Sequence, residues 1–330
     1  MNYIKENASL YKKVLKLIKK YNTIVVYRHE MPDFDASGTQ NGLVTWLKDS
    51  FPNKKIYAQG RDFYDFTPKL FPHIDEVDVE KLGEFLAIVV DVGNTERIDN
   101  KSFSKAKEIV KFDHHPAVEN YGNINIVNDE LASCSELVVD FICYCSLKKY
   151  PLSMLAAKYF YSGIVGDSGR FLFSSTSQHT FDAAGVCIKT GFDLSNDVYL
   201  KMYEKDISNL EIQKYVLNNY HVTDKGVAYY IFDNDALNKF NLRPEQGKNY
   251  LSNFSNIRGI NIWLSITEDV NSNVYRVSIR TTNYVINDVA SKYRGGGHPQ
   301  ASGAKLNNKE EIDLLINDLN ELIKWKYKNI

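Results

Sequence analysis

The chain has 330 residues, of which 44% are hydrophobic, 13% aromatic and 25% charged. That composition excludes a disordered, collagen-like or disulfide-stapled chain and suits two domains of moderate size. Forty Lys and Arg offset 41 Asp and Glu, for a net charge of -1. A broad grip on long nucleic acid takes a basic excess, so any nucleic-acid partner is expected to be short.

The longest apolar run, FLAIVV at 85–90, falls far short of the ~20 residues of a membrane span, and no membrane partner is expected. The opening MNYIKENASLYKKVLKLIKKY has lysines throughout and no apolar stretch, so no signal peptide is expected. Cys134, Cys143, Cys145 and Cys187 form no CxxC pattern. They read as reduced, buried thiols of a cytoplasmic protein.

Residues 5–20 place Leu10, Val14, Leu17 and Ile18 at helical spacing. A buried strand follows at 23–27 (TIVVY), then a helical stretch around 42–47 and a weak strand at 55–58. Strong strands are expected at 85–92 (FLAIVVDV) and 108–112 (EIVKF), and helices at 131–145 and 153–166. Alternating strands and helices predict an α/β fold with a doubly wound, mostly parallel sheet over 1–190. Residues 178–220 read as almost wholly helical, with 191–220 as a connector. A smaller α/β domain over 221–330 starts with a strand at 226–232 (GVAYYIF). A β-pair follows at 260–267 and 274–280, then helices at 286–293 and 309–328.

Four segments concentrate acid and imidazole: His29-Glu30-Met31-Pro32-Asp33-Phe34-Asp35, Asp91, Asp113-His114-His115 and Gly166-Asp167-Ser168. Three of them follow strands. In an open parallel sheet, strand carboxyl ends share one edge, and ligands bind there. A charged Asp ending a buried strand is costly unless something pairs it. His29, Asp33, Asp35, Asp91, His114 and Asp167 offer four carboxylates and two imidazoles. That exceeds one tetrahedral zinc and includes no thiolate. It suits two metals sharing a carboxylate, with Mn²⁺ favoured and Co²⁺ or Mg²⁺ as substitutes. A lone DxD is an ordinary turn; all four segments in this order are not. His73, His179 and His221 fall outside them and read as surface or capping residues.

Near the C-terminus runs Arg294-Gly295-Gly296-Gly297-His298. Consecutive glycines let backbone N–H groups approach an anion, and His298 adds a donor. Arg280 ends a strand and presents a planar fork suited to phosphate. No Walker-type lysine follows, so this is not a P-loop.

These motifs resemble those of the DHH–DHHA1 phosphoesterase superfamily, in particular the NrnA-like nanoRNases that also act as pAp phosphatases. His29-x-x-x-Asp33-x-Asp35, Asp91, Asp113-His114-His115 and Asp167 are similar to the four motifs of its DHH domain. Gly295-Gly296-Gly297-His298 with Ala301-Ser302-Gly303-Ala304 is similar to its DHHA1 signature. The resemblance implies two Mn²⁺ per subunit: His29 and Asp33 on one, Asp35, His114 and Asp167 on the other, and Asp91 bridging. It implies a bridging hydroxide as nucleophile, Asp113 orienting His114, and His115 acting on the scissile phosphate. Arg280, Gly295, Gly296, Gly297 and His298 would hold the substrate, with Arg97 and Arg258 as weaker contacts. The implied substrates are short oligoribonucleotides and 3′-phosphoadenosine 5′-phosphate, and the implied state is a homodimer. The alternatives are a linear dinucleotide (pApA) phosphodiesterase and a non-catalytic nucleotide-binding module. Departures from the family pattern fall at Phe34, Thr39 and Arg294.

Overall fold

The computed structural model describes residues 2–62 and 69–323. The chain divides into two compact units, Met1–Glu204 and Lys205–Ile330.

In the first unit, α1 (Asn2–Glu6) and α2 (Ala8–Lys20) precede β1 (Thr23–Tyr27). Then come α3 (Phe34–Ser50), β2 (Lys55–Ala58), β3 (Leu86–Val90), β4 (Glu108–Asp113) and β5 (Ile124–Val127). Helices α4 (Cys134–Ser146), α5 (Met154–Asp167), α6 (Gln178–Ile188) and α7 (Leu200–Tyr203) complete the unit. All strand pairs are parallel, in the order β2-β1-β3-β4-β5. Every residue of β1 and β3 is buried, as central parallel strands covered on both faces require. Ile24, Val26, Ile88 and Val90 pack against α2, α3 and α4. Val25, Tyr27, Ala87 and Val89 pack on the opposite face with Val79 and Phe103, from short 3₁₀ turns. The chain order reverses between β1 and β3, and loops leaving those two strands diverge to open a crevice there.

Helix α3 is polar yet buried along its first half. Several of its polar side chains bond internally, as burial favours, although Gln40 Oε1 is buried without a hydrogen-bond partner among the described residues. Gln40 Nε2 donates to the carbonyls of Val26 (2.7 Å) and Gln59 (2.9 Å), and Asn41 Nδ2 donates to Ser37 (2.9 Å). Helix α5 runs antiparallel to α3 at very short range. A Cβ on Gly38 would lie 2.5 Å from the Tyr159 carbonyl oxygen. One on Gly163 would lie 2.1 Å from Ser135 Oγ and 2.8 Å from Asp35 Oδ1. The start of α3 therefore meets the end of α5, bringing Asp35 close to Asp167.

Residues 191–220, expected as a connector, divide between the units. The π-helical turn Leu194–Tyr199 and α7 lie in the first. Helix α8 (Ser208–Asn218) buries Ile212 and Val216 in the core of the second. That unit continues with β6 (His221–Val222), β7 (Val227–Phe232), α9 (Asn234–Phe240), β8 (Ile262–Asp269) and β9 (Val274–Thr281). It closes with α10 (Asn287–Lys292), β10 (Gly296–His298), β11 (Ala301–Leu306) and α11 (Glu310–Leu322). The helix expected to reach Lys328 is described to Leu322; residues 324–330 lie outside the described residues. The sheet order is β10-β11-β9-β8-β7-β6, with only β7 and β8 parallel. Among the described residues no helix is long and apolar enough to cross a membrane.

Candidate metal centre

The acid and imidazole segments converge at the carboxyl edge of the first sheet, around the β1–β3 crevice. His29 follows β1, Asp91 follows β3, and Asp113 ends β4 with His114 and His115 beyond it. Asp33 is the N-cap of α3, its side chain accepting from the Ala36 N–H at 2.9 Å. Asp35 lies in that helix's first turn, and Asp167 is the last residue of α5.

His29 Nε2 lies 3.7 Å from Asp33 Oδ2 and 3.4 Å from Asp91 Oδ2. His114 Nε2 lies 3.3 Å from Asp91 Oδ1, 3.4 Å from Asp167 Oδ2 and 3.8 Å from Asp35 Oδ2. Three sets of three potential ligands result among the described residues: His29, Asp33 and Asp91; Asp35, His114 and Asp167; and Asp91, His114 and His115, which overlaps the other two. The Asp91 carboxylate stands between the first two, one oxygen toward His29 and the other toward His114. His115 Nδ1 is 3.6 Å from Asp91 Oδ1 and 2.8 Å from Asp113 Oδ1. Asp113 thus contacts His115. Among the described residues no hydrogen bond joins the Asp113 side chain to His114, which it was expected to orient. A β-strand end lets the carboxylate reach two residues along the turning chain, and the Leu131 carbonyl holds His114 instead.

The hydrogen bonds fix what these groups can accept. His29 Nδ1 lies 2.7 Å from the Glu30 carbonyl and His114 Nδ1 lies 3.2 Å from that of Leu131. A carbonyl only accepts, so Nδ1 carries the proton in both rings, and in a neutral imidazole Nε2 is then a lone pair. That lone pair faces carboxylates. Both Asp91 oxygens and His114 Nε2 are buried without a hydrogen-bond partner. Asp91 also holds a left-handed backbone (φ 59), a conformation that costs a non-glycine residue of order 1–3 kcal/mol. Such an arrangement of donors could hold a bound cation.

Charge regulation agrees. Burial lowers the His29 pKa, but Asp33 and Asp91 outweigh it and push it up to about 10. Burial, with Asp91 next, pushes Asp35 up to about 6. Asp167 is raised by burial and by Asp33. Without a cation the cluster collects protons, and a metal would displace them.

Residues 23–164 match the DHH family N-terminal domain and residues 224–324 the DHHA1 domain. The chain is 34% identical over 315 residues to the bifunctional oligoribonuclease and PAP phosphatase NrnA of Bacillus subtilis, covering 94% of this chain and 98% of that protein. It is also 34% identical to the probable NrnA of Streptococcus mutans, over 95% of this chain and 99% of that one. The chain belongs to the NrnA family of DHH–DHHA1 phosphoesterases. It is accordingly a hydrolase of phosphoester bonds. A solved exopolyphosphatase-related protein from Bacteroides fragilis shares the fold at 23% identity, with a TM-score of 0.83 over 95% of this chain and 96% of that one.

Several residues of this NrnA-family site carry no motif signature. The amides of Cys134 (2.6 Å) and Ser135 (3.0 Å), in the first turn of α4, donate to the Asp35 carboxylate, and Thr39 Oγ1 adds a bond at 3.1 Å. The start of a helix offers such N–H groups and a favourable dipole to an anion. The spacing Gly38-x-x-x-Gly42, facing Gly163-x-x-Gly166, is the sequence signal that could have exposed the α3–α5 contact. His179 departs from its surface reading. Its Nε2 lies 3.2 Å from Asp140 Oδ2, with both side chains nearly buried. His73 pairs with Asp62 at 2.6 Å and stays exposed.

The remaining expected contacts lie in the second unit, except Arg97, which lies in the first. The glycine tract is a strand rather than an open loop: Gly296, Gly297 and His298 pair with Gly303, Ser302 and Ala301. Ala301 pairs onward with Arg280, so His298, Ala301 and Arg280 share one row of the sheet. Arg280 Nη1 donates to the Ile279 carbonyl at 2.9 Å. Arg294 turns to Glu311 and the Lys305 carbonyl. Arg97 ends a 3₁₀ turn, where its carbonyl accepts from the Glu30 N–H. Arg258 lines a shallow, mainly apolar cavity with Tyr220 and Phe254.

Proposed function

We propose that this protein hydrolyses very short oligoribonucleotides to mononucleotides, and 3′-phosphoadenosine 5′-phosphate to AMP and phosphate, using two Mn²⁺ per subunit. The observation that carries the reading is Asp91: a buried carboxylate with neither oxygen hydrogen-bonded, set between two imidazole lone pairs. His29, Asp33 and Asp91 would hold one cation, and Asp35, His114 and Asp167 the other, with Asp91 shared. Nitrogen and oxygen donors without thiolate suit Mn²⁺, with Co²⁺ or Mg²⁺ as substitutes. Such a pair supplies Lewis acidity, yielding hydroxide from water at neutral pH and polarising a phosphoryl oxygen.

The chain's own groups do the rest. The α4 amides hold Asp35 in one orientation. His115, tethered by Asp113, faces the scissile phosphate and stabilises charge or assists the leaving group. Arg280, Gly295, Gly296, Gly297 and His298 take the substrate's other phosphate or terminal nucleotide. Residues 1–190 serve as the catalytic domain and 221–330 as the substrate-binding domain. The near-zero net charge supports short substrates rather than long nucleic acid. A cytoplasmic homodimer completes the reading.

Purified protein, Mn²⁺ and a labelled dinucleotide, a trimer, a longer RNA and pAp test it. Release of mononucleotides from the short RNAs and of AMP from pAp is expected, with the longer RNA cleaved more slowly. No turnover of any of them by folded, metal-loaded protein would overturn the proposal.

A further inference from the structure

Lys111 sits in β4, two residues before Asp113, with a wholly buried side chain. A methionine would fill similar volume without the cost of desolvating an ammonium. What the ammonium adds is a set of fixed links. Its Nζ donates to the Gly93 and Glu119 carbonyls, each at 3.0 Å. It also lies 3.1 Å from Asp113 Oδ2, an ion pair without the alignment of a hydrogen bond. The Tyr121 ring lies 4.9 Å from it.

These partners come from the two loops that carry the chemistry. Gly93 follows Asp91, while Glu119 and Tyr121 follow His115. The same loops are joined again by the Glu119 carboxylate, which accepts from the Thr95 N–H at 2.8 Å, and by Tyr121 OH, which donates to Val92 at 2.9 Å. Asp113 stands between Lys111 and His115. One oxygen faces the ammonium, and the other accepts from His115 Nδ1 (2.8 Å) and the His115 backbone N–H (3.2 Å).

We propose that Lys111 is a positioning residue for the hydrolysis. Through Asp113 it fixes the imidazole of His115 beside Asp91, and through Gly93 and Glu119 it locks together the loops bearing those residues. The kinetic arm of the test rests on the proposed hydrolysis; the structural arm does not.

Lys111→Met, His115→Ala and the double variant are assayed on a dinucleotide and pAp with Mn²⁺, and crystal structures of the single variant and the wild type are compared. Lys111→Met should lower kcat about 10–100-fold, as losing an outer partner of a site residue does, and leave KM unchanged. In the His115→Ala background it should cost much less, only what loosening the Asp91 loop adds, because residues that act as a unit are not additive. The His115 ring should leave Asp113 in the variant crystal. Equal losses in both backgrounds, or an unmoved ring, would overturn the proposal. If Lys111→Met does not fold, Lys111→Gln, which keeps an N–H for the carbonyls, gives the same comparison. If the wild type turns over neither substrate, the hydrolysis reading fails, and the ring position still decides the role of Lys111.

Discussion

The carboxyl edge of the first sheet and the glycine hairpin of the second unit treat polar atoms in opposite ways. At the first, Asp91 and His114 keep buried acceptors that nothing among the described residues hydrogen-bonds. At the second, backbone groups of the glycine tract are spent on the neighbouring strand, and Ser302 Oγ donates to the His298 carbonyl at 2.8 Å. Glycine there serves packing first: a Cβ on Gly295 would lie 2.0 Å from the Gly303 carbonyl oxygen. Unsatisfied buried atoms mark a place prepared for a ligand, whereas glycines in a row do not by themselves.

Substitutions can break or sharpen that contrast. His114→Ala or Asp35→Ala should cut kcat by more than about 100-fold, beyond the effect of losing an outer partner, with the circular dichroism spectrum retained. Near-normal turnover in either would remove the ligand assignment. Gly163→Ala forces a methyl group against Ser135 and Asp35. It should destabilise the fold by about 1–3 kcal/mol, as overpacking does, with a matching drop in denaturation midpoint. Arg280→Ala should raise KM about 10-fold, the loss of a charge-assisted bond, with kcat nearly constant. An unaffected KM would take Arg280 out of the substrate contacts.

The pH dependence has a definite sign. His29 goes from 6.5 unfolded to about 10 in the metal-free fold. Its contribution is complete below pH 6.5 and is lost as pH rises through 10. Metal-free protein should therefore lose melting temperature across that window, and the rise in Tm on adding Mn²⁺ should grow with pH. A Tm increment that shrinks with pH would contradict it. The smallest effect is expected at Gly296, where a Cβ meets nothing within 4 Å. Gly296→Ala should change stability by no more than about 0.5 kcal/mol. Gly297→Ala should cost more, since φ there is +136 and the Cβ would lie 2.7 Å from the Ala301 carbonyl oxygen.

The sequence exposed the central strands well because continuous Val and Ile runs such as TIVVY have few other uses. It hid β5, whose INIV segment is too short and too mixed to stand out, and β10, where glycine reads as turn. The acid and imidazole segments were legible as clusters with fixed spacing. The Cys134 and Ser135 amides were not, because any residue type can supply an N–H and only the docking of α4 aims it. Lys111 escaped notice for a similar reason. A lysine in a strand reads as solvent-facing until the loops around it close.

The grouping of Asp35 with Asp167 has a consequence for biosynthesis. The candidate ligands span positions 29 to 167, and the last arrives on a helix packed against the third one made. A nascent chain that has displayed only its first strands holds an incomplete cage. Tight capture of a cation must wait until α5 has left the ribosome and docked, so loading the metal would report that this unit has finished folding.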